Sequence, residues 1–115
     1  MAVRRIMPII TVGDIATASR HHTDILGLTE VMNHGWIATF ADPDSGLQVS
    51  LMTTDLTAPC NPAISVEVDD VDAAYARALA SGAEIIHELQ PEDWGVRRFF
   101  YRDTDGIVVN VLQHL

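Results

Sequence analysis

The sequence predicts an α+β fold: two βαβββ modules whose strands form cupped, mixed sheets within one domain. Three observations support this. Each of two short helical stretches follows a branched apolar run that alternates as a strand does. Each stretch opens on aspartate and stops at a glycine. The order of elements then repeats at an offset of about 56 to 61 residues.

Residues 5–12 form the first predicted strand, followed by Gly13-Asp14 and a helix over 15–25 that ends at Gly27. The Asp14 carboxylate can accept first-turn N–H groups and complements the helix dipole, while glycine suits the left-handed position past the last turn. Strands are expected at 28–32, 36–41 and 47–53, the last two joined by the turn cluster DPDSG. The second module repeats this order. A strand at 64–68 leads through Asp69-Asp70 into a helix over 71–81 ended by Gly82, and strands follow at 84–88, 96–102 and 107–112, with DTDG between the last pair. Module one therefore spans 1–53 and module two 63–115, with a proline-containing linker at 54–62.

Because successive side chains of a strand point to opposite faces, the pattern also assigns faces. Ile6, Ile10, Val12, Val49 and Leu51 are expected to pack on the first helix, leaving Met7, Gln48, Ser50 and Met52 on the open face. In module two, Val66, Val68, Ile107, Val109 and Val111 pack on the helix, leaving Ala63, Ser65, Glu67 and Asn110. If Arg102 pairs with Val108 across the DTDG turn, Arg98, Phe100 and Arg102 share the open face with Asn110. A curved sheet with a mixed concave face is a place for a ligand.

The chain has 115 residues, 48% of them hydrophobic, enough for one core without staples. Seven basic residues against sixteen acidic ones give a formal charge of −9, which argues against nucleic acid and anionic membranes and suits a cationic ligand. The single cysteine, Cys60, closes no internal disulfide, no export leader opens the sequence, and no apolar run approaches a membrane span, so a cytoplasmic protein is expected.

The paired modules, the V-x-D before each helix, ILGL after the first, and WGVRRFFYRDTDGIVVNVLQH near the end resemble the glyoxalase, bleomycin-resistance and extradiol-dioxygenase superfamily, also called vicinal-oxygen-chelate. The resemblance covers nearly the whole chain. It implies a homodimer and a cup in which His, Glu or Gln side chains from the first and last strands of each module hold a divalent ion that acts as Lewis acid. Carried over by position, those ligands fall on Met7, Ser50, Ala63 and Asn110: a thioether, a hydroxyl, a methyl and an amide. None is a carboxylate or an imidazole, so no metal, cofactor or catalytic residue is expected.

Histidines 21 and 22 are adjacent on a helix, about 100° apart, and do not converge on one ion. His22 lies instead on the stripe Ile15, Ala18, His22, Ile25, as a half-buried packing residue. The expected function is sequestration of a small organic drug or metabolite, touched by Met7, Trp36, Gln48, Ser50, Met52, Ala63, Glu67, Arg98, Phe100 and Asn110. The alternative is a metal-dependent lyase or dioxygenase whose ligands are displaced, for instance onto His87, Glu88 or His114. A third is a metal-independent isomerase or regulatory partner using Glu67 or a histidine.

Overall fold

The structure is a computed structural model and describes residues 1–115. Two helices and eight strands follow in the order β1 (Val3–Thr11), α1 (Ile15–Leu26), β2 (Thr29–Asn33), β3 (Ile37–Ala41), β4 (Gln48–Met52), β5 (Ile64–Val68), α2 (Val71–Ala80), β6 (Glu84–Glu92), β7 (Val96–Arg102) and β8 (Val108–His114). The fold is α+β with parallel and antiparallel strand pairs, and the βαβββ order occurs twice.

Both helices begin as their sequences require. Asp14 is extended and its carboxylate accepts from Thr17 N at 2.8 Å, while Asp70 accepts from Ala73 N at 3.0 Å. Gly27 ends α1 at φ 68°, a left-handed conformation that a side chain would strain.

Residues 7–61 form one compact unit. Its strands are ordered β2-β3-β4-β1, with β1 parallel to β4 and the remaining pairs antiparallel. Ile15 of α1 packs on Ala38, Phe40 and Leu51, with Val12, Ala18, Leu28 and Val49 at the margin. The segment after β4 is held by Asn61, whose side-chain oxygen accepts from Asp55 N at 2.7 Å. Its amide donates to Thr53 O and Thr11 Oγ1, each at 3.0 Å.

Residues 1–6 and 62–115 form the other unit. Its strands β5-β8-β7-β6 pair parallel between β5 and β8 and antiparallel elsewhere. Val68, Val71, Phe99, Val109 and Val111 make the core under α2, and Tyr75 meets Phe99 edge to face at 5.0 Å. Arg97 of β7 ties α2 to the sheet through Asp72, Nη2 to Oδ1, at 3.0 Å.

The helix-facing assignments hold for Val12, Val49, Leu51, Val66, Val68, Val109 and Val111 and fail for Ile6, Ile10 and Ile107. Ile6 and Ile10 were expected under the first helix but are 62% and 39% exposed. α1 lies on β3 and β4, and Ile10 stays outside its footprint. Ile25 is exposed, so the expected stripe runs only through Ile15, Ala18 and half-buried His22 before the last turn leaves the sheet. Ile107 precedes β8 in the turn and is also exposed. No helix is long and apolar enough to cross a membrane.

Phe40→Ala is expected to lower unfolding stability by about 3–5 kcal/mol in urea titration, since the ring is almost fully buried. Hydrogen bonds hold the carboxyls of Asp14, Asp42 and Asp72 below their ordinary value of 3.8, from the Thr17 side chain, the Ser45 side chain and Arg97 respectively. Depressed folded values contribute stability above 3.8 and lose it as pH falls through them, so the melting temperature should drop below that pH. Asp14→Asn is expected to flatten the drop.

Candidate functional site

In the second unit the sheet face turned away from α2 is built in rows. Cα registers align Ser65 with Asn110, Asn110 with Phe100, and Phe100 with His87. The next row aligns Glu67, Leu112, Arg98 and Gln90, and the one after it His114, Val96 and Glu92. Arg102 does pair with Val108, which places Arg98 and Phe100 on the same face as Asn110. Phe99 and Tyr101 face α2.

β6 departs from plain alternation. Its register shifts between Ile85 and His87 and again between His87 and Gln90. The shifts leave Ile85 and Leu89 against the α2 core, turn His87 toward Phe100, and extend the strand to Glu92, well past the expected end at 88.

Arg98 sits at the centre of this face and is 1% exposed. A guanidinium in that position needs compensation, because moving a charge out of water costs several kcal/mol. Glu92 Oε1 accepts from Arg98 Nε at 3.1 Å and lies 2.8 Å from His87 Nε2. A carboxylate only accepts, so His87 Nε2 carries the proton of that bond. The rings of Trp94 and Phe100 lie 4.9 and 4.8 Å from Arg98 Cζ, at cation–π distance.

One row away, the Asn110 amide donates to Ser65 Oγ at 3.0 Å. Asn110 is 3% exposed and its Oδ1 has no partner. A buried unpaired carbonyl costs about 1–3 kcal/mol, so this position calls for a donor from outside the chain.

The corresponding face of the first unit is self-satisfied. Ser50 Oγ lies 2.7 Å from both Met7 Sδ and Thr39 Oγ1. With Thr39 donating to Ser50 and Ser50 to the thioether, every proton has an acceptor. Met52, Ile9 and Met7 are buried together beside half-buried Trp36. Gln48 opens β4 opposite Ala41, at the far end from Met52.

The remaining expected contacts lie elsewhere. Ala63 precedes β5 and is exposed, and the residue beside Asn110 is Ser65, two positions on. In the first unit the residue beside Ser50 is likewise Ile9, while Met7 reaches Ser50 through its sulfur. Glu67 belongs to a rim cluster, 3.7 Å from Arg5 Nη2 and 3.9 Å from His114 Nε2. His87 and Glu92, the most buried acid–base pair on this face, were absent from the expected site. Their sequence signal, a histidine inside the expected strand followed past its end by a proline and two acids, marks an irregular strand without showing which face they reach.

No three His, Cys, Asp or Glu side chains converge in a way that could hold a metal ion. Glu92 and His87 are already bound to each other and to a buried cation, Glu88 is exposed, and His114 stands with Glu67 at the rim. A thioether, hydroxyls and amide oxygen make a poor donor set for a hard or borderline divalent ion.

The model of the Glyoxalase/Bleomycin resistance protein/Dioxygenase superfamily matches residues 3–111. The chain belongs to that superfamily. Among solved structures, a glyoxalase/bleomycin resistance protein/dioxygenase superfamily member from Vibrio splendidus 12B01 is 20% identical with a TM-score of 0.76, covering 97% of this chain and 99% of its own. Methylmalonyl-CoA epimerase from Mycobacterium tuberculosis is 20% identical with a TM-score of 0.68, covering 98% and 87%. A Legionella pneumophila chain described as NAD-dependent benzaldehyde dehydrogenase is 16% identical with a TM-score of 0.79, covering 96% and 100%. At these identities the likeness shows the glyoxalase-type fold alone. No curated protein matches the sequence.

Arg98→Met should destabilise the protein by about 3–5 kcal/mol in urea titration, because it strands the Glu92 carboxylate in a buried face. Adding Glu92→Gln to that variant should recover part of the loss.

Proposed function

We propose that this superfamily member binds a small organic molecule without transforming it, using the sheet face of the second unit that carries Asn110. The observation that carries the proposal is the donor set. The face offers an unpaired amide oxygen, a hydroxyl, aromatic rings and a guanidinium already neutralised by Glu92. Such groups hold a ligand by hydrogen bonding and packing, whereas chelation of substrate oxygens needs several carboxylate or imidazole ligands on one ion.

Asn110 Oδ1 favours a ligand that donates an N–H or O–H, and the partly exposed ring of Trp94 favours an apolar or aromatic body. The charge of −9 favours cationic molecules at long range. Met7, Ser50, Met52, Trp36 and Gln48 act in this proposal through the packing of their own unit. Homodimerisation remains part of the proposal, supported by Ile25, Leu26 and Val31, large apolar side chains exposed close together in sequence.

Elemental analysis of protein purified without chelators should give far less than one Ni, Fe, Mn or Zn per chain, and titration with those ions should show no saturable heat. Small molecules released from the purified protein by denaturation should return unchanged in mass after incubation with fresh protein. A stoichiometric metal, or turnover of the released molecule, would overturn the proposal.

A further inference from the structure

The other face of the second unit's sheet carries a separate feature. A cavity of about 370 Å³ lies between α2 and the sheet, within the range of small-molecule sites. Its floor is apolar, made by Val66, Val111 and Phe99, and Ala74 and Ala78 line it from α2. The space follows from the sequence of that helix. Where a leucine would fill the gap between helix and sheet, α2 presents methyl groups, and the volume stays open.

The charge around the cavity runs against the charge of the whole chain. Sixteen acidic residues outnumber seven basic ones, yet no acidic side chain lines the cavity and one arginine, Arg77, does. Arg77 is exposed at the margin. Unlike Arg97, Arg98 and Arg102, it makes no ion pair and no side-chain hydrogen bond. The negative end of the α2 dipole opposes an anion less strongly here, because three of its last four carbonyls are occupied. Arg77 O accepts from Ser81 N, Leu79 O from Gly82 N, and Ala78 O from both Ala83 N and Ser81 Oγ. Tyr101 also lines the cavity, and its phenol can supply a second donor.

We propose that this cavity is a second small-molecule site that takes an apolar chain ending in a carboxylate, with the chain over Val66 and Phe99 and the carboxylate on Arg77. An apolar cavity selects for apolar bulk, and an uncommitted guanidinium at its margin selects an anion over a cation or a neutral head. The site is independent of the Asn110 face, since the two lie on opposite sides of the same strands.

Octanoate, octanol and octylamine serve as matched probes, with binding measured by titration calorimetry and mapped by amide and methyl NMR shifts on the full chain. Octanoate is expected to bind saturably at one per chain and tighter than either control, with shifts on Ala74, Ala78, Val66 and Val111. Hexanoate should bind more weakly, by roughly three- to four-fold for each methylene removed. Arg77→Gln should weaken octanoate roughly five-fold, as expected for a partly exposed ion pair, and leave octanol unchanged. Ala78→Leu should fill the cavity and abolish binding; Ala74→Val provides the same test if the leucine variant does not fold. No saturable octanoate binding, equal binding of octylamine or octanol, shifts on the Ser65–Asn110 face instead, or binding that survives filling of the cavity would each overturn the proposal.

Discussion

A guanidinium with 1% exposure dictates much of what surrounds it in the second unit. Water no longer solvates Arg98, so the chain must supply an anion and polarisable surface within a few ångströms. Glu92 supplies the anion, Trp94 and Phe100 supply ring faces, and His87 holds the same carboxylate oxygen that Arg98 does. The irregular course of β6 decides which acid supplies that anion. Plain pairing continued from Glu84–Arg102 and Ile85–Tyr101 would set Glu88 opposite Arg98, whereas the two register shifts place Gln90 there and bring Glu92 to the guanidinium. The chemistry of the face follows as well, because the cation there is part of the chain and both nearby metal-type ligands are already engaged.

The two modules share a plan and differ in how they close it. Position by position, Ser50 in the first corresponds to Asn110 in the second, each on the last strand beside a residue of the first. Ser50 passes its proton to Met7 and receives one from Thr39, and large apolar side chains complete the packing. Asn110 has four hydrogen-bonding positions and finds one partner in Ser65. One copy has become core, and the other retains unmet polarity. The second unit also departs from simple packing on its helix side, where alanines of α2 leave the sheet partly uncovered.

Much of this was legible in the sequence. Aspartate and glycine bracket α1, the repeat gave the element order, and the DTDG turn fixed the β7–β8 register that puts Arg98, Phe100 and Asn110 on one face. The superfamily resemblance rested on the same repeat. Alternation failed where something other than period decides. Ile10 has the branched character of a helix-covered residue, but coverage depends on where α1 lies, and that is set by Phe40 and Leu51. The sequence offers His87 only as a displaced metal ligand and Glu92 not at all, because bulges reset which face a residue meets, and no residue type announces a bulge reliably. Ala63 and Ser65 share one parity, so period could not say which of them sits beside Asn110; the ladder does.

The outermost strand of each unit, β2 in the first and β6 in the second, breaks its register against its neighbour, β2 between Glu30 and Met32 and β6 twice. β6 adds Pro91, which has no N–H to offer. A newcomer strand would find donors and acceptors out of step along either rim. These kinks therefore discourage runaway stacking of one molecule's sheet onto the next, the usual hazard of a protein built mainly from ribbons.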